Sequence, residues 1–217
     1  MTTQLIFGDC TSELQKIPDN SIDFCWTDPP YNVGKDYGNY KDNVSDAQYL
    51  DWCTKWINQL KRITNNNIAV YVPTKYILEY WNMLGSDYRQ IILSYSPEGA
   101  FRFGFVNQFS SILTNAKPVI KTKNVWHNTQ MPGLGYFFKE NNFDHPGYTS
   151  QDITGRVIKS FTGPGQSVID PFCGTGTTGV ECVKYERSFT GIEQEQKWFD
   201  LAERRIHDAQ QQMRLGI

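Results

Sequence analysis

The stretch Val168-Ile-Asp-Pro-Phe-Cys-Gly-Thr-Gly-Thr-Thr-Gly179 joins an apolar run, an Asp-Pro pair and three glycines. Gly174, Gly176 and Gly179 match the spacing G-x-G-x-x-G, which is typical of a tight turn between a strand and a helix. An acid, Glu193, ends the next apolar run. Together these features are typical of a nucleoside-binding unit, in which the acid binds the ribose hydroxyls. The alternative is a strand-to-helix turn that merely needs glycine.

Two features favour S-adenosylmethionine over a dinucleotide as the ligand of this unit. Asp170 directly precedes the loop, and its charge suits an ammonium and a sulfonium better than a pyrophosphate. The unit also lies in the last quarter of the 217 residues, so too little chain follows to complete a sheet. The earlier strands must therefore lie beside it.

Apolar runs alternate with helical patterns along most of the chain. Strands are predicted at 5–7, 22–27, 68–72, 91–95, 111–114, 167–170 and 189–192, and helices at 11–17, 47–63, 74–83, 177–185 and 196–213. This alternation predicts an α/β fold with a doubly wound, mostly parallel, Rossmann-like sheet covered on both faces. We expect a single domain over 1–217, in which 97–143 breaks the rhythm as an inserted region.

Composition and charge argue against several classes of protein. The net charge is −2, and five cysteines show no Cys-x-x-Cys spacing, so a disulfide framework is not expected. With three histidines and no paired Cys/His spacing, no metal site is expected either. No apolar run approaches the roughly 18 residues of a membrane span, and the N-terminus does not resemble a signal peptide. These features predict a cytoplasmic protein.

A second decisive stretch, Asp28-Pro-Pro-Tyr31, follows the buried run at 22–27. Ligands of a doubly wound sheet bind at the carboxyl ends of its strands, so Asp28 and Asp170 should share one crevice. The Asp28 carboxylate and the Pro29 carbonyl could each accept one N–H of a nucleobase amine, directing its lone pair toward a methyl donor. Pro30 would keep the bend rigid, and Tyr31 could stack on the base. A simple turn with an aromatic plug is the alternative.

The combination of Asp28-Pro-Pro-Tyr31 with Asp170-Pro-Phe-Cys-Gly-Thr-Gly176 resembles the amino-directed DNA methyltransferases. The order, with the catalytic motif first and the cofactor loop last, is similar to their permuted β-type group. The flanking sequences resemble the same family at Gly8-Asp-Cys10, Ile17–Asp23, His145-Pro146 and Gly191-Ile-Glu193. Gly147-Tyr-Thr-Ser-Gln-Asp152 departs from it, because the family commonly has a Gln-Lys-Pro-like run there.

This resemblance implies an S-adenosylmethionine-dependent enzyme and a role for each matching residue. Asp28, Pro29, Pro30 and Tyr31 would be catalytic. The cofactor would be bound by Asp9, Cys10, Asp28, Asp170, Phe172, Gly174, Thr175, Gly176, Thr177, Thr178 and Glu193. Within this set, Asp9 and Cys10 would approach its adenine, Glu193 its ribose, and Thr177 and Thr178 its carboxylate.

The base and the polymer are predicted less directly. Family members that methylate adenine usually begin the motif with Asp or Asn, and cytosine-N4 members with Ser, so Asp28 favours adenine-N6. A duplex base would have to be flipped out to reach such a pocket. The alternatives are a different methyl acceptor, namely the N4 amine of cytosine, RNA or a protein amide, or a different kind of protein, namely a catalytically silent partner subunit or a dinucleotide oxidoreductase.

The segment 99–139 contains no Asp or Glu but carries four lysines, one arginine and eight aromatic residues. A locally basic, aromatic-rich segment in a mildly acidic chain predicts a surface that contacts DNA phosphates. An aromatic strand pair with a solvated rim is the alternative. Because this region is short, a second subunit, either another copy of this chain or a different protein, could supply part of the contacts with DNA.

Overall fold

The computed structural model describes residues 1–35, 42–95, 109–128 and 150–216. Its strands are β1 (Thr3–Phe7), β2 (Phe24–Thr27), β3 (Ile68–Val72), β4 (Arg89–Tyr95), β5 (Phe109–Thr114), β6 (Val125–Asn128), β7 (Ser167–Asp170) and β8 (Ser188–Glu193). The helices are α1 (Cys10–Leu14), α2 (Asp46–Ile63), α3 (Ile77–Leu84), α4 (Gln151–Phe161), α5 (Thr177–Lys184) and α6 (Gln196–Leu215). A short 3₁₀ turn at Thr74–Tyr76 precedes α3.

The eight strands form one sheet in the order β1-β8-β7-β2-β3-β5-β4-β6. Every described pairing is parallel except those of β5, which runs antiparallel to both β3 and β4. The predicted α/β fold with a doubly wound, mostly parallel sheet is therefore confirmed.

Two apolar layers cover the sheet, and strand side chains alternate between them because successive residues of a strand point to opposite faces. Cys25 packs with residues of α2 and α3 such as Trp56 and Tyr80. Its neighbours Phe24 and Trp26 pack on the other face with residues of α4, α5 and α6. This burial on both faces explains why β2 is a continuous apolar run rather than an alternating one.

Helix α2 shows how local sequence sets an element boundary. The Ser45 hydroxyl accepts a hydrogen bond from the Gln48 amide at 3.3 Å, and the Gln48 side chain accepts one from the Ser45 amide at 3.2 Å. This reciprocal capping box satisfies amides that the first turn leaves without partners. The helix begins one residue before the predicted start at 47.

Two elements were missing from the prediction. Strand β6 has four residues and lies at the sheet edge. Helix α4 begins at the Ser150 cap and buries Ile153, Val157, Ile158 and Phe161, a helical spacing that the sequence does contain. Its first residues belong to the stretch that departs from the family pattern.

The predicted inserted region, 97–143, is described only at 109–128. Those residues form β5, β6 and their connection, so the described part of this region is built into the main sheet. The His145-Pro146 motif and Gly147 to Thr149 lie outside the described residues. Within the described chain, we find no helix that is both long and apolar enough to cross a membrane.

Candidate active site

Strands β2 and β7 are parallel neighbours, with Phe24 opposite Val168 and Cys25 opposite Ile169. Asp28 and Asp170 are therefore brought to the same edge of the sheet. A small cavity opens between them, and its walls include seven of the eleven residues predicted to bind the cofactor: Asp28, Asp170, Phe172, Gly174, Thr175, Thr177 and Thr178. The structure thus joins the two sequence motifs in one cleft.

Asp170 is almost completely buried, with 5% of its surface exposed, and its own chain surrounds it with donors. One oxygen accepts hydrogen bonds from the Thr27 hydroxyl at 2.8 Å and the Phe172 amide at 3.1 Å, and the other accepts from the Thr178 hydroxyl at 2.6 Å. Burial raises the pKa of Asp170 to about 6, although these three hydrogen bonds oppose the rise. The nearby charge of Asp28 adds to it.

Asp28 is only half-buried and receives a hydrogen bond from the hydroxyl of Tyr31. The Tyr31 ring stacks on Tyr71 of β3, with centroids 6.3 Å apart and planes 20° apart. A carboxylate can accept about four hydrogen bonds, so Asp28 can keep Tyr31 and still accept from a ligand. Both aspartates line the cavity, and Asp28 is the more accessible of the two.

The two prolines behave differently. The Pro30 carbonyl accepts a hydrogen bond from the Tyr49 hydroxyl of α2 at 2.8 Å. Within the described residues, no backbone amide donates to the carbonyl of Pro29. The Pro30 carbonyl thus fixes the bend to α2. The adjacent Pro29 carbonyl is the one that the sequence predicts to accept an N–H of the nucleobase amine.

The loop after Tyr31 is organised by a residue that the sequence did not suggest. Asp42 has 3% of its surface exposed, and its carboxylate accepts from the backbone amides of Asn32 at 2.6 Å and of Val33 and Lys35 at 3.0 Å. Asn32 adopts a φ of +55°. This cradle of amides around Asp42 holds the backbone that follows the catalytic motif.

The glycine loop is a tight turn fixed to the last helix. The Gly176 amide donates to the Cys173 carbonyl at 2.8 Å, and Gly176 has a φ of +80°. A Cβ at this position would lie 2.9 Å from the Cα of Ala202 in α6. Glycine at position 176 is thus required by packing against α6 as well as by the turn, and the sequence predicts only the turn and the close approach of a cofactor.

Arg205 of α6 also holds this loop and was not predicted. Its guanidinium donates to the carbonyl of Thr175 at 2.5 Å and to the Thr175 hydroxyl at 2.8 Å. The contact spans 30 residues of sequence, so no local pattern announces it. The walls of the cavity likewise include Trp26, Thr154 and Cys173, which the prediction missed.

Glu193 is the last residue of β8, and its side chain is hydrogen-bonded to the glycine loop. Its two carboxylate oxygens accept from the amides of Gly174 at 2.9 Å and Glu195 at 2.8 Å. Burial raises the pKa of Glu193 above its usual range. Each oxygen retains a lone pair for a further donor such as a ribose hydroxyl.

Asp9 and Cys10 lie at the carboxyl end of β1, beside β8 in the sheet. The Asp9 carboxylate caps α1 by accepting from the Ser12 amide at 3.1 Å. Cys10 is buried in the core with 5% of its surface exposed, and burial raises the pKa of its thiol. Neither residue lines the small cavity, and neither do Pro29, Pro30, Tyr31, Gly176 or Glu193.

Residues 22–93 and 112–204, well over half of the chain, match the family model described as DNA methylase. The chain belongs to this family of N6/N4 DNA methylases, and the predicted family resemblance is confirmed.

Curated relatives extend this result over almost the whole chain. The type II methyltransferase M.HpaI of Haemophilus parainfluenzae is 26% identical over 95% of this chain and 74% of its own length. The DNA adenine methyltransferase YhdJ of Escherichia coli (strain K12) is 24% identical over 93% of this chain and 82% of its own. The type II methyltransferase M.HinfI of Haemophilus influenzae is 26% identical over 94% of this chain and 68% of its own.

Solved structures share the fold. The PvuII cytosine-N4-specific DNA methyltransferase superposes with a TM-score of 0.70 at 15% identity, covering 100% of this chain and 94% of its own. The M1.HpyAVI complex with S-adenosylmethionine superposes with a TM-score of 0.68 at 22% identity, covering 94% of this chain and 99% of its own.

Proposed function

We propose that this protein transfers a methyl group from S-adenosylmethionine to the exocyclic N6 amine of adenine in DNA. The observation that carries the proposal is the pairing of Asp28 and Asp170 on one cavity at the carboxyl edge of adjacent strands. Membership of the DNA methylase family supports the reaction class.

The cavity has the chemistry to hold this cofactor. Asp170 contributes a carboxylate to the cavity wall, which would favour a cationic group, and Gly174, with a φ of +49°, brings backbone rather than a side chain to the same wall. Glu193 is positioned by its own loop at the end of β8. The Thr178 hydroxyl is already bonded to Asp170, so Thr177 is the better candidate of the two for contact with the cofactor carboxylate.

S-adenosylmethionine, when bound, supplies an electrophilic methyl carbon on a sulfonium. The residues of Asp28-Pro-Pro-Tyr31 prepare the nucleophile. The Asp28 carboxylate and the Pro29 carbonyl accept the two amine hydrogens, which localises the nitrogen lone pair. The lone pair is thereby directed toward the methyl carbon that bound S-adenosylmethionine would supply, whose C–S bonding electrons would remain on sulfur. Asp28 stabilises the positive charge that grows on the amine, which then releases its proton to solvent.

The edge of the sheet cannot receive a base that remains stacked in a duplex, so we propose that the target base is flipped into the cleft. Tyr31 is held against Tyr71 and offers an aromatic ring beside Asp28 for the extruded base. Flipping costs roughly a few kcal/mol, which stacking and the two acceptors would offset.

Adenine is proposed because the motif begins with Asp28, and a DNA adenine methyltransferase is among the relatives. Cytosine-N4 is the second candidate, since a cytosine-N4-specific enzyme shares the fold. Both bases present the same two amine hydrogens, so the geometry of Asp28 and Pro29 serves either.

The test is mass spectrometry of nucleosides from DNA incubated with the protein and S-adenosylmethionine. We expect N6-methyladenine to appear. N4-methylcytosine in its place would overturn the base assignment, while the absence of any methylated nucleoside would overturn DNA as the substrate of this chain alone.

A role for 97–143 in target recognition is likewise a proposal. It is supported by the exposed Lys117, Lys121 and Lys123 on the connection between β5 and β6. A second copy of the chain would provide additional contacts with DNA. Sedimentation that finds a fully active monomer at micromolar concentration would contradict the dimer.

A further inference from the structure

Helix α4 separates two concave surfaces. One flank contributes Thr154 to the active-site cavity, where the Trp26 indole donates to its hydroxyl at 3.4 Å. The other flank faces an open groove of about 670 Å³, which we call the α4 groove. Its walls are residues 120–123 of the β5–β6 connection with Val125 of β6, residues of α4 between Gln151 and Ser160, and the end of α5 with Tyr185.

The α4 groove is strongly basic, although the chain as a whole carries a net charge of −2. Two of the side chains that line the groove are acidic, Asp152 and Glu181, and five are basic: Lys121, Lys123, Arg156, Lys159 and Lys184. All five basic residues are exposed. Glu181 is buried and lies 3.6 Å from Lys184, so that acid is already balanced.

The other four cations form no ion pair with the described residues. Their long side chains would gain nothing from desolvation by a neutral partner, whereas an anionic partner would pair with them. An excess of unpaired positive charge along one groove is the electrostatic signature of a polyanion site.

The two α4 cations lie against aromatic rings. The Arg156 guanidinium lies 4.3 Å from the ring centroid of Trp126, and the Lys159 ammonium lies 5.3 Å from that of Tyr185. Arg156 and Lys159 are three residues apart on α4 and therefore lie on one face of the helix. A side chain held in place loses less conformational entropy when it binds a ligand.

The opposite wall is also anchored. The Val119 amide donates to the Ser160 carbonyl at 2.7 Å, and the Trp126 indole donates to the Lys123 carbonyl at 2.6 Å. These contacts fix the connection that carries Lys121 and Lys123 against α4 and β6. The groove is thus a built surface with cations on two facing walls.

The length of the groove suits a nucleic-acid strand better than a single small anion. From Gln151 to Ser160, α4 rises about 14 Å at roughly 1.5 Å per residue. Phosphates of one DNA strand advance about 3.4 Å each along the helix axis, so the groove spans about four of them. Thr154 on the neighbouring flank places one end of this path beside the active-site cavity.

We propose that the α4 groove binds the phosphates of the DNA strand next to the flipped base. DNA is taken as the polyanion because of the proposed function, so this proposal rests on that function. It adds Arg156, Lys159 and Lys184, which lie outside the predicted 97–143 region, to the residues that hold DNA.

The experiment measures the affinity of the protein for a fluorescein-labelled DNA duplex of random sequence. Fluorescence anisotropy is recorded at salt concentrations from about 50 to about 200 mM. Non-specific binding depends on phosphate contacts, so no recognition sequence is needed. The test variant is Lys121→Gln/Lys123→Gln, which changes exposed side chains without described ion pairs. The matched control is Lys16→Gln/Lys55→Gln, whose lysine side chains are 68% and 63% exposed and whose only described ion pairs join residues three or four positions apart.

We expect the test variant to bind at least 10-fold more weakly at low salt and to lower the slope of log affinity against log salt by about 2. The control should leave both values near those of the wild type. A second variant, Arg156→Gln/Lys159→Gln, should reproduce the loss if the two walls hold one strand. Equal affinity and slope for the test variant and wild type would overturn the proposal.

Methylation is followed separately at saturating DNA. A variant with weakened binding and an unchanged maximal rate supports the groove as a binding surface. If the wild type bound DNA through the groove yet methylated nothing, the proposed function would be wrong and the DNA-binding role of the groove would still hold. If the wild type methylated DNA and the test variant bound DNA normally, only the DNA-binding role of the groove would be wrong.

Discussion

Asp170 is the last residue of β7 and Asp28 directly follows the neighbouring parallel strand β2; each is followed by proline, yet their surroundings are opposite. Asp170 is 5% exposed and accepts three hydrogen bonds from its own chain. Asp28 is half-buried and faces the cavity, where the Tyr31 hydroxyl is its neighbour. An Asp-Pro pair after a buried strand thus has two different roles. At β7 the aspartate stabilises the structure of the cleft, and at β2 it is accessible to a ligand.

The largest effect on stability is expected at Asp170. Asp170→Ala removes the acceptor for the Phe172 amide and for the hydroxyls of Thr27 and Thr178, and leaves these donors buried. We expect the free energy of unfolding to fall by about 3 kcal/mol, as measured by urea denaturation. Asp28→Ala should change it by less than about 1 kcal/mol. Equal losses for both variants would break the comparison.

The pH dependence of stability sharpens the same contrast. Burial raises the pKa of folded Asp170 to about 6 from an ordinary value of 3.8, so the folded protein holds this proton more tightly than the unfolded chain. The contribution of Asp170 to the free energy of unfolding is therefore greatest below pH 3.8. It falls by about 3 kcal/mol as the pH rises to 6.

Urea denaturation of the wild type and Asp170→Asn, which does not titrate, isolates this contribution from other carboxylates. The free energy of unfolding of the wild type minus that of the variant should decrease between about pH 4 and pH 6. A difference that stays constant or increases over that interval would show that burial of Asp170 does not dominate its titration.

A smaller effect is expected at the glycine loop. Gly176→Ala introduces a Cβ 2.9 Å from the Cα of Ala202 at a residue with a φ of +80°. We expect a loss of about 2 kcal/mol in unfolding free energy from strain and overpacking. Gly165→Ala is the control, because Gly165 has a φ of +84° and open space around a Cβ. If the two variants lost equal stability, packing against α6 would not be the constraint.

The smallest effect is expected at Tyr31. Tyr31→Phe removes the hydroxyl that donates to Asp28 but keeps the ring against Tyr71. The kcat/KM for DNA should fall a few-fold, which corresponds to about 1 kcal/mol. Tyr31→Ala, which also removes the ring, should lose considerably more. Equal losses would mean that the hydroxyl rather than the ring carries the contribution of Tyr31.

The sequence predicted the sheet and the meeting of its two motifs because both depend on local patterns. Apolar runs that end in Asp-Pro mark buried strands, and parallel strands bring those ends to one edge. Strand β6 was missed because four residues at an edge carry too little periodicity. Helix α4 was missed although its apolar spacing is regular; Gly155 within it lowers the helix propensity of the segment.

Long-range contacts account for what no local pattern reveals. Arg205 reaches Thr175 across 30 residues, and Asp42 gathers the amides of a loop whose direction is set by the fold. The constraint on Gly176 comes from Ala202, a residue of another helix. Each depends on which surfaces the sheet order places together, which one sequence does not specify.

The most direct measurement of the central claim is the single-turnover rate of methyl transfer by Asp28→Ala at saturating S-adenosylmethionine and DNA. We predict a loss of at least about 100-fold, since an acceptor for the developing charge is gone while Asp170 and the glycine loop remain intact. Asp28→Asn, which keeps an acceptor oxygen, should lose less. A rate for Asp28→Ala within a few-fold of the wild type would contradict the assignment of Asp28 to the chemistry.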